Sequence, residues 1–116
     1  MSNVFISYSS TDRPFVLQLA EDLQRAGHSV WLDQWKITGR HPYWDEIQLG
    51  LEYCSHFIFV ISPEAIDKES GARRELYHIG SLKPIPVIIP VMARETPYSK
   101  LPMLISPCQY QIHDFV

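Results

Sequence analysis

Cysteine is scarce in the sequence, and long apolar runs and an excess of positive charge are missing altogether. Two cysteines, Cys54 and Cys108, are too few for a disulfide framework, so we expect a reducing, cytoplasmic environment. No apolar run approaches the roughly 20 residues that a membrane-spanning helix needs, so we expect no membrane partner. Phosphate binding favours basic proteins, and because the net charge here is −3 we expect no nucleic-acid partner either.

What the sequence does contain is the composition of one folded domain. Of its 116 residues, 46% are hydrophobic and 20% are charged, which is typical of a globular chain with a single core. Four short apolar runs are rich in β-branched or aromatic residues and lack polar alternation, as in strands buried on both faces: residues 4–6, 30–32, 57–61 and 87–92. Between them, helical spacing of apolar residues marks 12–26, 43–54 and 69–82.

This alternation of strands and helices predicts an α/β fold in three layers, with a parallel sheet and helices on both of its faces. We expect a short fifth strand near Gln109–Ile112. In such sheets ligands bind beyond the carboxyl ends of the strands. The loops in which to look for a site are therefore residues 7–12, 33–42 and 62–70.

Several familiar sites are missing from those loops. There is no G-x-G-x-x-G dinucleotide turn, no Walker A loop and no G-x-S-x-G hydrolase elbow. The five histidines show no metal-ligand spacing, so we expect no metal. A phosphorelay receiver domain would need an acceptor aspartate at the end of the third strand, where the sequence has Ile61, Ser62 and Pro63. These classes of site are therefore not supported.

The same loops do carry aromatic side chains and acids. Trp35 lies between polar neighbours, which favours exposure at a contact surface, whereas Trp44 on its helical stripe is as compatible with the core as with the crevice. Asp33 closes the second strand. Glu75 lies early in the third helix, where an acid is commonly only a surface charge. From spacing alone, a catalytic role for Glu75 is the less common interpretation.

Five segments, in order, resemble the conserved boxes of Toll/interleukin-1 receptor/resistance (TIR) domains. The first segment resembles the opening box of these domains. The second segment resembles their second strand and its terminal acid, and the third resembles the end of their BB loop. The fourth is similar to the third strand and its serine exit, and the fifth to the later box in which a serine precedes an acid. The five segments are residues 4–12, 27–33, 39–44 and 57–63, and Ser70 followed by Glu75 and Leu76.

The resemblance implies a flavodoxin-like fold with a five-stranded parallel sheet. It also implies that Glu75 is the catalytic acid, because the family's NAD⁺-cleaving members carry that acid in the later box. We therefore expect a prokaryotic-type NAD⁺ glycohydrolase that releases nicotinamide and ADP-ribose or a cyclic variant, acts in antiviral defence, and uses NAD⁺ as substrate with no cofactor. The alternatives are a non-catalytic TIR–TIR scaffold and a nucleotide-binding sensor. Gly71, where enzymatic members often carry an aromatic ring, favours the scaffold.

On this resemblance we expect the substrate to be held by the first loop, the ends of the second and third strands and the start of the second helix. Tyr43 and Trp44 would pack on the nicotinamide or its ribose, Asp33 would lie at the polar edge, and hydroxyls of the first loop would line the phosphate or ribose side. The expected substrate-binding residues are Ser7, Tyr8, Ser9, Ser10, Asp33, Tyr43, Trp44 and Ser62.

Activation by self-association is also implied, because in the enzymatic branch the BB loop of one protomer completes the site of the next. Here that loop has an aromatic anchor with a basic rim, which suits an interface. A head-to-tail contact of this kind gives filaments. The expected assembly residues are Trp35, Lys36, Ile37, Arg40 and His41. We expect residues 1–116 to be one TIR domain without its last helix, at the N-terminal end of a longer protein.

Overall fold

The structure is a computed structural model that describes residues 2–32, 44–67, 69–102, 105 and 111–116. Its regular elements in chain order are β1 (Asn3–Ser7), α1 (Arg13–Arg25), β2 (Ser29–Leu32), α2 (Trp44–Tyr53), β3 (His56–Ile61), α3 (Gly71–Ser81), β4 (Val87–Met92) and β5 (His113–Asp114). Short 3₁₀ helices cover Ser10–Asp12 and Tyr98–Lys100. No helix within these described stretches is long and apolar enough to cross a bilayer.

The strands form one sheet in the order β2-β1-β3-β4-β5, and every neighbouring pair is parallel. At its centre, Ile6 of β1 lies between Leu32 of β2 and Ile58 of β3. The predicted five-stranded parallel sheet is confirmed. The first four strands and the three helices begin and end within two residues of their predicted bounds.

Local sequence explains where the helices begin and end. Ser70 caps α3, because its side chain accepts a hydrogen bond from the Arg73 backbone N–H at 2.9 Å. Pro14 lies in the first turn of α1, where a backbone N–H has no partner within the helix. The missing N–H of proline therefore costs no hydrogen bond. Beyond α1, Gly27 adopts a φ of +94°, the left-handed conformation expected of a glycine that ends a helix.

Both faces of the sheet are buried, which confirms the three layers. On one face Phe5, Phe57 and Phe59 pack against α2 and α3. On the other face Ile6 and Val60 pack against α1. Because alternate side chains of a strand point to opposite faces, neighbouring residues of β1 enter different cores.

The fifth strand lies later in the chain than predicted. We expected it near Gln109–Ile112, whereas the observed β5 is His113–Asp114, paired with Val91 and Met92. Both β5 side chains are exposed, so backbone pairing at the sheet edge leaves no apolar signal in the sequence. Ile112, the last residue of the predicted range, is partly buried and packs against the core.

A close contact joins the edge strand β2 to α2. The Trp31 ring stacks on Phe5 with centroids 6.2 Å apart, and its other side faces the backbone of α2 at Gly50. A Cβ atom at Gly50 would lie 2.7 Å from Trp31 Cε2, closer than carbon atoms approach. Glycine is therefore required here to let the indole lie against the helix.

We predict that Gly50→Ala destabilises the fold by about 1–3 kcal/mol, because the new methyl group overpacks the indole. Urea unfolding measures the loss. In a Trp31→Val background the same substitution is expected to be neutral or stabilising, since alanine is preferred over glycine within a helix by up to about 1 kcal/mol. An equal loss in both backgrounds would contradict this explanation.

Candidate functional site

A buried carboxylate lies where β1 ends beneath the first turns of α3. Glu75 is 1% exposed, and its Oε1 accepts a hydrogen bond from Ser7 Oγ at 2.6 Å. Ser7 is the last residue of β1 and is fully buried. The Ser70 cap fixes the start of α3, and the helical period then places Glu75 on the same buried face as Ala72, Leu76 and Ile79.

The surroundings of Glu75 strengthen the electrostatic interactions of its carboxylate. The buried face of α3 is otherwise apolar, and a carboxylate in apolar surroundings needs a hydrogen-bond donor, which Ser7 provides. Charge interactions are stronger there than in water, because the local dielectric constant is lower. Such a group can stabilise positive charge that develops on a bound molecule.

Two arginines, Arg73 and Arg74, directly precede Glu75 in the sequence. The Arg73 guanidinium donates to the Ile66 carbonyl at 2.7 Å and lies 5.6 Å from the ring centre of Tyr77. Arg74 is exposed. Arg73 thus secures the loop before α3.

The polar residues of the first loop point in different directions. Ser7 faces Glu75, whereas Tyr8 is fully buried in the core between the sheet and α1. Ser9 Oγ lies 3.0 Å from Thr11 Oγ1, and Ser10 is exposed. Consecutive residues at the end of a strand enter opposite faces, so Ser7 and Tyr8 lie on different sides of the sheet, and the substrate-binding roles expected of them stay predictions.

A second polar cluster, missed by the sequence argument, joins the ends of β1, β3 and β4. The buried carboxylate of Asp12 accepts from Ser62 Oγ at 2.6 Å and from Arg94 Nε at 2.8 Å. Ser62 Oγ in turn accepts from the Ala65 backbone N–H at 3.2 Å. Ser62, expected at the substrate, is therefore engaged in holding Asp12.

Arg94 extends this cluster to the surface. Its guanidinium also donates to Thr11 Oγ1 at 2.9 Å and to Glu64 Oε1. Hydrogen bonds from the Glu64 backbone N–H and then from Arg94 lower the pKa of Glu64, and bonds to Asp12 and Glu64 raise the pKa of Arg94. We call Asp12, Ser62, Glu64 and Arg94 the clasp.

The remaining predicted residues lie outside the part of the chain that the structure describes. Trp44 begins α2, but the placement of its side chain is not described. The others fall within residues 33–43 and include the expected assembly loop: Asp33, Trp35, Lys36, Ile37, Arg40, His41 and Tyr43. Their roles stay predictions.

Two grooves lie at the other end of the sheet, where the strands begin. One, of about 360 Å³, is lined by residues that include Trp31, Leu49 and Tyr53, and the other, of about 480 Å³, by residues that include Lys83 and Val87. Neither contains a residue of the Glu75 site or the clasp. Among the described residues, no group of three or more His, Cys, Asp or Glu is placed to hold a metal ion.

Comparison with known proteins bears on the family. A family model described as the TIR domain matches residues 4–115. The crystal structure of the TIR domain of the Toll-related receptor TRR-2 from Hydra magnipapillata is similar, with 25% identity and a TM-score of 0.73 over 99% of this chain and 85% of that one. A prokaryotic SEFIR domain has a similar fold, with 20% identity and a TM-score of 0.62 over 82% and 74% of the two chains. No curated protein matches the sequence.

We predict that Arg94→Met destabilises the fold by about 2–3 kcal/mol, because it leaves the Asp12 carboxylate buried without its cation. The exposed half of Arg94 keeps the loss below that of a fully buried pair. Arg25→Met is the matched control: it breaks the exposed pair with Glu21 and is expected to cost about 0.5 kcal/mol or less. Equal losses in urea unfolding would contradict the assignment.

The lowered pKa of Glu64 predicts a pH dependence. A carboxyl group whose folded pKa lies below its ordinary value of 4.5 contributes stability above that pH and loses it as the pH falls through the folded pKa. We therefore expect Glu64→Gln to be less stable than wild type at neutral pH and the gap to close as the pH falls below 4.5 and through the folded pKa. Urea midpoints across this range measure it. A gap that does not change with pH would show that charge is not its cause.

Proposed function

The chain belongs to the TIR domain family, and from that membership we propose that it is an NAD⁺ nucleosidase that cleaves the bond between nicotinamide and ribose. The observation that carries the proposal is the position of Glu75. Its carboxylate lies under α3 at the carboxyl end of β1, held by Ser7, rather than on the outer surface of the helix. Sheets of this kind bind ligands at that edge.

One carboxylate is sufficient for this reaction. The nicotinamide of NAD⁺ is a cation at the bond that breaks, and it takes the bonding electron pair and departs neutral. No acid is needed to protonate the leaving group, unlike in ordinary glycosidases, which use two carboxyl groups. Positive charge then grows on the ribose, and the Glu75 carboxylate stabilises it. Attack by water gives ADP-ribose and a released proton, whereas attack by a second group of the same nucleotide gives a cyclic product.

Burial of Glu75 supports activation by self-association. At 1% exposure the carboxylate does not meet solvent, so NAD⁺ reaches it only after a covering group has moved. TIR domains generally self-associate, and we propose that such a contact, made through the loop containing Trp35 and extending into filaments, opens the site. The scarcity of cysteine supports a cytoplasmic setting, and NAD⁺ depletion there is the proposed means of antiviral defence.

A second candidate is a scaffold that recruits other TIR domains without turnover. It is favoured by the likeness to a receptor's TIR domain at 25% identity over 99% of this chain. The closed position of Glu75 is compatible with it as well. The two candidates differ in one measurable product, because a scaffold releases no nicotinamide.

We predict that the wild-type chain releases nicotinamide from NAD⁺ and that Glu75→Gln lowers turnover by at least about 100-fold, since it removes the charge and keeps the shape. Chromatography of reactions across a range of protein concentrations measures both. Glu69→Gln is the matched control: it removes an exposed acid just before the same helix and is expected to leave turnover unchanged. Circular dichroism checks that all three proteins are folded.

Two results would overturn the proposal. Turnover by Glu75→Gln near that of wild type would remove Glu75 from the mechanism. No nicotinamide from wild type at the highest concentration, where TIR–TIR contacts form, would favour the scaffold. Activity that rises only linearly with concentration and survives Trp35→Ala would contradict activation by assembly.

A further inference from the structure

The hydroxyl of Ser7 lies within reach of two acceptors and has one proton to give. Its Oγ is 2.6 Å from Glu75 Oε1 and 3.3 Å from the Ala72 carbonyl oxygen. The two acceptors belong to the same helix, one turn apart. Which of them receives the proton depends on whether Glu75 is ionised.

We propose that Ser7 is a positioning residue that keeps Glu75 ionised by directing its single hydroxyl proton to the carboxylate. With Glu75 ionised, Ser7 donates across the short 2.6 Å contact, a length typical of a hydroxyl bound to a carboxylate. With Glu75 protonated, the carboxyl group donates to Ser7 Oγ, and the Ser7 proton must turn to the Ala72 carbonyl at 3.3 Å. That bond is longer and weaker, so the pair favours the charged form.

Ser7 is the hydroxyl that the described contacts place on the Glu75 carboxylate. The side chains that β1 and β3 direct towards α3 are Phe5, Phe57, Phe59 and Ile61, none of which titrates. On α2, Glu52 and Tyr53 are exposed, and the acidic side chains at 45 and 46 lie outside the described part of that helix. On α3 itself, Arg73 is engaged by Ile66, Arg74 is exposed and His78 is half-buried further along the helix.

That Ser7 lowers the pKa of Glu75 is a property of the folded chain alone. That this ionisation supports turnover rests on the proposed NAD⁺ cleavage. A carboxylate can stabilise a growing positive charge only while it is ionised. Turnover is therefore expected to fall at low pH as Glu75 becomes protonated, and this fall is the acid limb of the pH–rate profile.

The first test is a carboxyl ¹³C NMR titration of Glu75 in protein labelled at glutamate. Ser7→Ala is expected to raise the pKa of Glu75 by about one to two units, since a hydrogen bond to a charged group is lost. Ser7→Thr keeps the hydroxyl and is expected to restore the wild-type value. Ser81→Ala, which removes an exposed hydroxyl bound to the His78 carbonyl in the last turn of α3, is the matched control and is expected to leave it unchanged.

Ser7→Cys provides the same comparison should the alanine variant unfold, because a thiol is a weak donor of similar size. A Glu75 pKa that is the same in wild type and in the folded alanine or cysteine variant would overturn the inference. So would an equal rise in Ser7→Thr, which would make packing rather than the hydroxyl the cause.

The second test is the pH dependence of kcat/KM for nicotinamide release. Its acid limb is expected to move upwards in Ser7→Ala by the shift that NMR measures and to return in Ser7→Thr, with the rate at high pH reduced far less than in Glu75→Gln. An NMR shift without any nicotinamide release would retain the hydrogen-bond inference and reject the proposed function. Release by wild type with an unmoved acid limb would reject the role of Ser7 in turnover.

Discussion

Helices cover both faces of this sheet, and this burial limits where polar side chains can lie. Side chains in the middle of β1 and β3 enter one of two dry cores, so they are apolar. Polar groups can meet only where the strands end, and each that is buried there needs a partner. The carboxyl edge accordingly holds Ser7, Asp12 and Ser62, all buried and all hydrogen-bonded.

Among the described residues, two buried carboxylates lie at this edge, and they have different partners. Asp12 is matched by the guanidinium of Arg94, so its charge is neutralised in place and the clasp is suited to holding loops together. Glu75 accepts a hydrogen bond from the uncharged Ser7 hydroxyl. In the proposed reaction, Glu75 is the carboxylate that would meet the positive charge developing on the substrate, whereas Asp12 has a structural role.

The first four strands and the three helices could be predicted from the sequence, because strands buried on both faces leave unbroken apolar runs and the apolar residues of helices recur every three to four residues. β5 was misplaced, because its exposed residues carry no such pattern. Glu75 lies at the spacing of the apolar stripe of α3, so its burial had a signal, although only the fold could bring it to Ser7. The clasp had none: Asp12 and Arg94 are 82 residues apart, and nothing local to either predicts the other.

The separation of 82 residues between Asp12 and Arg94 limits when the clasp can form. The contact of Arg94 with Asp12 closes a loop that spans most of the chain, and closing it costs more entropy than any local pairing. β1 and β3 can pair beforehand, but until β4 has joined β3 the aspartate has no cation. A nascent chain that has emerged only as far as β3 therefore lacks both Arg94, the cation of the clasp, and Glu75.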